Sequence, residues 1–406
     1  DPNSISSDKI FTLCLTTDGV LWVGTIGGGL NYFDRSTGVF KKYLQNSPID
    51  TKGLSNNDIT ALYENSDGNL LIGNVMGGID ILNRKTKTFS HFYPEVQIPN
   101  TIGGGRSVTV IRKDRKGTLW AGTLNGLKQF DKKLNKFIHY SLEQKSSEQN
   151  GNSESVTSLL FTEQFFWIGT SQNGLIRYHP ESNTSISYTA DDGLPDNVIL
   201  GILPDSWGNL WLSTNKGISR FNPQSEKFKN YDINDGLQGK EFNQGAYFKS
   251  SIGEMFFGGV NGFNAFFPDK IEKNNFIPPV YFTAFTVFNE KLLLPNPVPN
   301  NYTIELSYNQ NFFSIEFVAL NFSSPEKNKY AYMLEDFDRD WHNVSSKQRY
   351  ASYTNLDPGE YVLRVKGSNN DGIWNKDGAI INIIINPPFW MTWWFRVIII
   401  LSLIGI

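Results

Sequence analysis

Leu21-Trp22-Val23-Gly24-Thr25 is written five more times along the chain, each time with changes. Leu119-Trp120-Ala121-Gly122-Thr123 and Phe166-Trp167-Ile168-Gly169-Thr170 are close copies. Leu70-Leu71-Ile72-Gly73-Asn74 and Leu210-Trp211-Leu212-Ser213-Thr214 are looser, and Met255-Phe256-Phe257-Gly258-Gly259 is the loosest. Successive copies stand 44–49 residues apart. A period of that length means one supersecondary unit used repeatedly.

The second copy shows what the unit is. Ile59–Glu64 alternates apolar residues, Ser66-Asp67-Gly68-Asn69 reads as a turn, and three further short runs follow at 70–73, 79–82 and 88–93. Runs this short, bounded by Gly, Asn and Asp, are strands joined by tight turns, because Gly and Asn reach positive φ at low cost. Four antiparallel strands per repeat, set radially, make a propeller blade. The Trp of each second strand is expected to fill the space between blades, and the glycine beside it to let backbones approach. No stretch before residue 387 holds helical periodicity over three turns. The sixth copy offers strands near 245–249, 254–257 and 262–267 but no fourth, which is expected upstream of Asp1. Six repeats are visible, and the sequence leaves open a six-bladed ring or a seven-bladed one with a blade missing.

Glycine (36), Phe (30), Tyr (17) and Trp (10) are plentiful. The formal charge is −3, with 37 basic and 40 acidic residues, which gives no electrostatic case for nucleic-acid binding. Cys14 is alone, so no internal disulfide can form; it reads as a small buried strand residue.

The repeats stop near Pro268, and Lys273-Asn274-Asn275-Phe276-Ile277-Pro278-Pro279 reads as a linker. Seven strand-like runs follow, at 280–288, 302–308, 312–319, 329–334, 349–354, 361–367 and 380–385. That number and spacing fit an immunoglobulin-like sandwich. With no cysteine pair, its core is expected to rest on Tyr332, Trp341, Tyr353, Tyr361 and Trp374. Pro387-Pro388 is stiff and extended. Trp390, Trp393 and Trp394 then precede an uncharged, mostly apolar run at 397–406, the arrangement of a membrane interface, with Arg396 placed to snorkel. A spanning helix needs about 20 apolar residues, and the run is read as the start of one. The expected organisation is all-β: a β-propeller at 1–270, an immunoglobulin-like β-sandwich at 278–386, and the start of a transmembrane helix at 389–406.

Candidate chemistry is thin. His91, His139, His179 and His342 are scattered without metal-ligand spacing. No phosphate-binding loop or nucleophile elbow occurs, and Asp67-Gly68 and Asp191-Asp192-Gly193 lack the distal Glu of a calcium loop. Thr17-Asp18-Gly19-Val20-Leu21-Trp22 and Ser206-Trp207-Gly208-Asn209-Leu210-Trp211 resemble the Asp-box hairpins of sialidases, which are structural turns. Glycoside hydrolysis needs two carboxylates at a set separation, and no pair can be nominated. The reading assigns no catalytic residue, metal or cofactor.

Binding has a better geometric basis. One face of a propeller carries the turns from second to third strand and the loops between blades. Those segments supply Arg106, Asn125, Gln172, Asn173, Asn197, Asn215, Lys216, Asn243 and Asn261 as candidate ligand-binding residues. Their amides and cations can hydrogen-bond sugar hydroxyls; the competing reading is that they serve turn geometry alone. Arg106 is the strongest candidate, because no turn requires arginine.

Gly117-Thr118-Leu119-Trp120-Ala121-Gly122-Thr123, with Asn125-Gly126-Leu127, Phe130-Asp131, Phe137 and Tyr140, resembles the two-component-regulator propeller repeat. Tyr330 through Trp341, Tyr353 through Tyr361 and Lys366 through Asn375 resemble the triple-tyrosine (Y_Y_Y) domain. In this order the two resemble the periplasmic sensor region of a Bacteroides-type hybrid two-component system. The chain departs from the pattern in its second copy, which lacks Trp, and in its sixth, which lacks Trp and Thr; such receptors also usually carry two propellers. The resemblance implies a periplasmic ectodomain anchored in the inner membrane, an oligosaccharide or other small ligand, a homodimer, and a histidine kinase in the full-length protein. A propeller enzyme (polysaccharide lyase or glycosidase) and a protein-binding propeller are the alternatives.

Overall fold

In every repeat the motif folds as the second strand of an antiparallel meander. The computed structural model describes residues 3–45, 53–76, 78–92, 107–131, 133, 136–140, 155–295 and 297–404. The motif strands are Leu21–Thr25, Leu70–Asn74, Leu119–Thr123, Phe166–Thr170, Leu210–Thr214 and Met255–Gly259. Five of the sheets have four strands, paired in chain order. The sixth has three, Phe242–Lys249, Met255–Gly259 and Gly262–Phe266. All six belong to one compact unit, Asp1–Lys270; a second unit is Ile271–Ile406.

The motif residues explain how sheets pack. Trp22 is buried against Ile59 and Leu62 of the second sheet and Leu54 of the loop before it. Trp120 packs on Val156 and Leu159 of the fourth, and Trp167 on Ile199 and Ile202 of the fifth. The motif glycine sits where the next sheet's inner strand comes closest. A Cβ on Gly24 would lie 2.6 Å from Ile59 Cγ2, one on Gly73 2.7 Å from Val108, one on Gly122 2.7 Å from Val156 and one on Gly169 2.8 Å from Ile199. These are β-branched side chains held by a sheet, so they cannot yield cheaply. The hydroxyls of Thr60 and Thr157 extend the join by donating to the Val108 and Ile199 carbonyls of the next sheet. Gly122→Ala is therefore expected to destabilise the propeller by about 1–3 kcal/mol through overpacking. Urea unfolding followed by tryptophan fluorescence measures it. Cys14 is partly buried, and that burial raises its thiol pKa.

The second unit holds two sheets. One has four strands, ordered Glu290–Leu292, Val280–Val287, Phe313–Ala319, Tyr350–Tyr353. The other has five: Tyr302–Ser307, Trp374–Asn386, Gly359–Ser368, Lys329–Leu334 and His342–Ser345. Its outermost pair, Tyr302–Ser307 with Trp374–Asn386, is parallel. The short strands Glu290–Leu292 and His342–Ser345 escape sequence reading because neither has an alternating apolar pattern. The core also differs from expectation. Phe285, Phe313, Phe317, Tyr330, Leu363, Val365, Ile381 and Ile383 form it together with Tyr353, while Tyr332 and Tyr361 pack at its margin. Trp341 lies outside it, with the Lys366 ammonium 3.9 Å from its ring centroid. Trp374 is likewise only half-buried. Both flank charged or turn residues, so their rings serve the surface.

After Pro387-Pro388 the chain makes a 3₁₀ turn, Phe389–Met391, and a twelve-residue helix, Trp393–Ile404. Trp390 packs edge-on against Tyr308 of the sandwich at 5.2 Å between centroids. The helix buries no residue. Among the described residues no helix is long and apolar enough to cross a membrane.

Candidate functional site

The rim that carries the second-to-third-strand turns is built from the last residue of the motif. Thr25, Thr123, Thr170 and Thr214 each donate from the hydroxyl to the carbonyl of the glycine that opens or immediately precedes the third strand, at 2.8–2.9 Å. In three sheets the same oxygen also accepts a turn N–H, from Asn125 at 3.2 Å, Asn173 at 2.8 Å and Lys216 at 3.0 Å. One buried hydroxyl thus satisfies both sides of a tight turn, which leaves the turn's side chains free to point outward.

The structure divides the sequence candidates. Gln172, Asn215 and Lys216 are exposed on these turns, and Asn125 and Asn173 are half-buried there. The Lys216 ammonium lies 3.3 Å from Asp196 of the adjoining between-sheet loop. Asn197 is structural: its Oδ1 accepts from Ala190 N at 2.8 Å and its carbonyl accepts from Gly174 N at 2.9 Å. Asn57 makes the matching bonds to Gln45 N and Gly29 N, so this amide locks these two loops to the preceding sheet. Asn261 is exposed but tied to Gln238, with its N–H donating to Oε1 at 2.8 Å. Asn243 is exposed on the inner strand of the sixth sheet rather than on a loop. Beside it, Gln244 Nε2 is buried without a hydrogen-bond partner. Arg106 lies outside the described residues.

Beneath the rim, the residue two places after the third-strand glycine is polar in every sheet but the fourth, where it is Ile176. Asn31 binds the Ser6 hydroxyl and amide. Asp80 is fully buried, accepts from Ser55 N and Asn74, and meets His91 Nδ1 at 2.7 Å. Lys128 is also buried and faces His139 Nδ1 at 3.0 Å. Burial pushes the Asp80 carboxyl up and the Lys128 ammonium down. His139 is held below its ordinary value, first by burial and then by the Lys128 charge. A base with a depressed folded pKa is protonated first in the unfolded chain, so stability is lost as pH falls below the unfolded pKa of about 6.5. His139→Gln is expected to flatten the stability slope just below pH 6.5, read as urea midpoints across a pH series. An unchanged slope would refute it.

The opposite rim, where first-to-second and third-to-fourth turns lie, carries two clefts that sequence reading missed. One, of about 320 Å³, opens between the third and fourth sheets over Trp120, Tyr140 and Phe166, with Arg115, Gln129 and His179 around it. The other, of about 410 Å³, shares Lys116, Thr118 and Gln129 with it. Between the first and second sheets the corresponding space is closed by Arg84, which pairs with Asp18 at 2.8 Å and Glu64 at 3.5 Å. The repeat alignment holds the signal: Pro180 stands at the Arg84 position. No group of three His, Cys, Asp or Glu side chains able to hold a metal occurs among the described residues.

Comparison with known proteins accords with this architecture. The two component regulator propeller model matches residues 4–27, 53–75 and 193–216, and the Y_Y_Y domain model matches residues 321–386. The chain carries two-component-regulator propeller repeats followed by a Y_Y_Y domain. Histidine kinase P4 of Formosa agariphila is 30% identical over 293 residues, which are 69% of this chain and 21% of that protein. The extracellular domain of a hybrid two component system of B. thetaiotaomicron, BT3049, superimposes with a TM-score of 0.78 at 23% identity. That match covers 94% of this chain and 51% of the other. The chain therefore spans about half the length of the solved domain and about a fifth of the curated kinase. The 23% likeness speaks to the fold, and the Y_Y_Y match falls wholly within the second unit.

Proposed function

We propose that this chain is the ligand-sensing part of a membrane-anchored hybrid histidine kinase, displayed in the periplasm of a Gram-negative cell and binding an oligosaccharide. The observation that carries the reading is the order of propeller repeats and Y_Y_Y domain in a chain 30% identical to a histidine kinase. The propeller rim supplies the binding surface: Asn125, Gln172, Asn173, Asn215 and Lys216 project from turns whose backbone needs are already met by threonine hydroxyls. Amide and ammonium donors on a rigid ring suit a polyhydroxylated ligand, whose hydroxyls both donate and accept. The Y_Y_Y sandwich hands the signal onward. Its longest strand, Trp374–Asn386, runs directly into Pro387-Pro388 and the apolar helix, which forms the start of the membrane anchor at 389–406. A two-fold homodimer is the simplest assembly for such a receptor. This part of the protein has no catalytic role.

Calorimetric titration of the protein against a panel of polysaccharide fragments tests the reading. One glycan class is expected to bind and to be recovered uncleaved. Asn125→Ala and Asn215→Ala should each weaken binding by about 0.5–1.5 kcal/mol, the usual value of one hydrogen bond, with unfolding midpoints unchanged. Wild-type affinity in both variants would place the ligand elsewhere, the opposite-rim cleft first. Steady release of reducing ends would overturn the non-enzymatic assignment.

A further inference from the structure

Across from the second motif position, each third strand places one residue beside the sheet junction. It is Tyr32 in the first sheet, Ile81 in the second, Gln129 in the third, Arg177 in the fourth and Arg220 in the fifth. Three of these cover neighbouring rings. Tyr32 lies 5.0 Å from Trp22 between centroids, and Arg220 Cζ lies 6.0 Å from the Trp211 ring. Arg177 Cζ lies 5.3 Å from the Phe165 ring and 5.5 Å from that of Tyr188. Arg177 is also fixed by charge. It pairs at 3.1 Å with Glu226 of the next sheet, which accepts from the Tyr188 hydroxyl at 2.8 Å.

At the junction of the third and fourth sheets both of those charges are missing. Gln129 stands where the next junction has Arg177. Asn183 stands where it has Glu226, in the same turn position with φ 52° against 53°. Asn183 accepts from the Tyr178 hydroxyl at 2.7 Å, whose oxygen meets the Tyr140 hydroxyl at 2.7 Å. The Gln129 amide makes no hydrogen bond among the described residues. The cleft of about 320 Å³ lies here. Its floor is the half-buried Tyr140 ring with the small exposed parts of Trp120 and Phe166, and its walls include Gln129, Thr118 and His179. His179 Nδ1 accepts from Ser182 N at 3.2 Å, which puts the proton of the neutral ring on Nε2. The charges around the cleft are already matched. Arg115 pairs with Glu163 at 2.5 Å, and Asp114 holds the Trp120 indole N–H and Thr118 N. The remaining two, Lys116 and Glu181, are of opposite sign.

We propose that this cleft is a second carbohydrate site, which takes one neutral sugar ring. A saturated ring presents C–H bonds to the aromatic floor. Its hydroxyls, each both donor and acceptor, meet the Gln129 amide, the Thr118 hydroxyl and His179 Nε2. The neutral class follows from the paired loss of Arg and Glu: a charged ligand would lose its hydration and find no unmatched charge in return. An arginine side chain of a partner peptide, which would copy Arg177, lacks the carboxylate that holds Arg177 in the next junction. The volume lies at the low end of ligand pockets, so the cleft holds one ring of a glycan, at an end or a branch. It stands on the rim opposite Asn125 and Asn215, and the reading does not require a ligand on their side.

Saturation-transfer NMR of the protein with neutral methyl pentosides and hexosides, beside a methyl uronoside and an arginine peptide, tests the proposal. At least one neutral glycoside is expected to receive saturation, and the two charged probes none. Gln129→Arg combined with Asn183→Glu rebuilds the Arg177–Glu226 closure in this junction. It should weaken glycoside binding about tenfold or more, the worth of one to two hydrogen bonds, with the urea midpoint near wild type. Gln129→Leu, which keeps the volume and removes the amide, should weaken binding as well. Asn215→Ala, on the other rim, should leave the glycoside signal unchanged, so failure here is distinct from failure of the turn-bearing rim to bind an oligosaccharide. No signal from any neutral glycoside, a stronger signal from a charged probe, wild-type binding in both Gln129 variants, or loss of the signal in Asn215→Ala would overturn it.

Discussion

Trp211→Ala is expected to destabilise the propeller by about 3–5 kcal/mol, the range for deleting a buried aromatic. Trp211 is 1% exposed, stacks on Tyr231 at 5.4 Å and meets Phe266 of the next sheet at 5.0 Å. Its indole N–H donates to the buried Asp205 at 3.2 Å, and Asp205 also takes Asn209 and the Trp207 amide. The substitution thus opens a cavity between the fifth and sixth sheets and removes one of the donors that hold Asp205. Trp207→Ala, in the same hairpin but at the surface, should change stability by less than about 0.5 kcal/mol. Urea midpoints of the two variants decide the matter, and equal effects would mean the motif tryptophan does not join the sheets.

Asp338→Ala is expected to cost the Y_Y_Y domain about 2–5 kcal/mol. Asp338 accepts from the Tyr353 hydroxyl at 2.6 Å and from Leu334 N at 2.8 Å, and meets His342 Nε2 at 3.0 Å. Removing the carboxylate strands a nearly buried hydroxyl and a backbone N–H, each costing about 1–3 kcal/mol. Burial first, and the hydrogen bond to Asp338 second, push the Tyr353 hydroxyl well above its ordinary pKa, so it remains a donor throughout the neutral range. Tyr353→Phe removes only one bond and should cost about 1 kcal/mol. Thermal unfolding followed by near-ultraviolet circular dichroism separates the two, and equal losses would mean that Leu334 N does not depend on Asp338.

The repeat made most of this legible. Its period marked the sheets, and its third strand ended without a fourth in the sixth copy, as the structure has it. Even the indole partners can be read, since Asp114 and Asp205 stand six residues before Trp120 and Trp211 and bond to them. Thr16 takes that place before Trp22, whose Nε1 is buried without a partner. The sandwich was less legible, because the large aromatics drew attention from the aliphatic strand 379–385 that fills its core. The candidate rim was legible as a place but not residue by residue. Asn197 looks like Asn215 in sequence, and only three-dimensional pairing shows that one amide serves the scaffold while the other faces solvent.

If the proposed function holds, the junction after the sandwich matters as much as the rim. Pro387-Pro388 lacks two backbone donors and fixes φ, and Trp390 anchors the segment to Tyr308. Replacing the two prolines with Gly-Ser should leave ligand affinity near wild type while ligand-dependent phosphorylation falls; unchanged phosphorylation would show that stiffness has no part in coupling.

The most direct measurement is phosphate incorporation into the full-length receptor in membrane vesicles, titrated with the glycan that binds this chain. A sensing ectodomain can shift output only through differential binding to two states. The account predicts that phosphorylation changes with a half-effect concentration matching the calorimetric Kd, and that Asn215→Ala moves both together. Binding with no change in phosphorylation, or a response to glycans the chain does not bind, would contradict it.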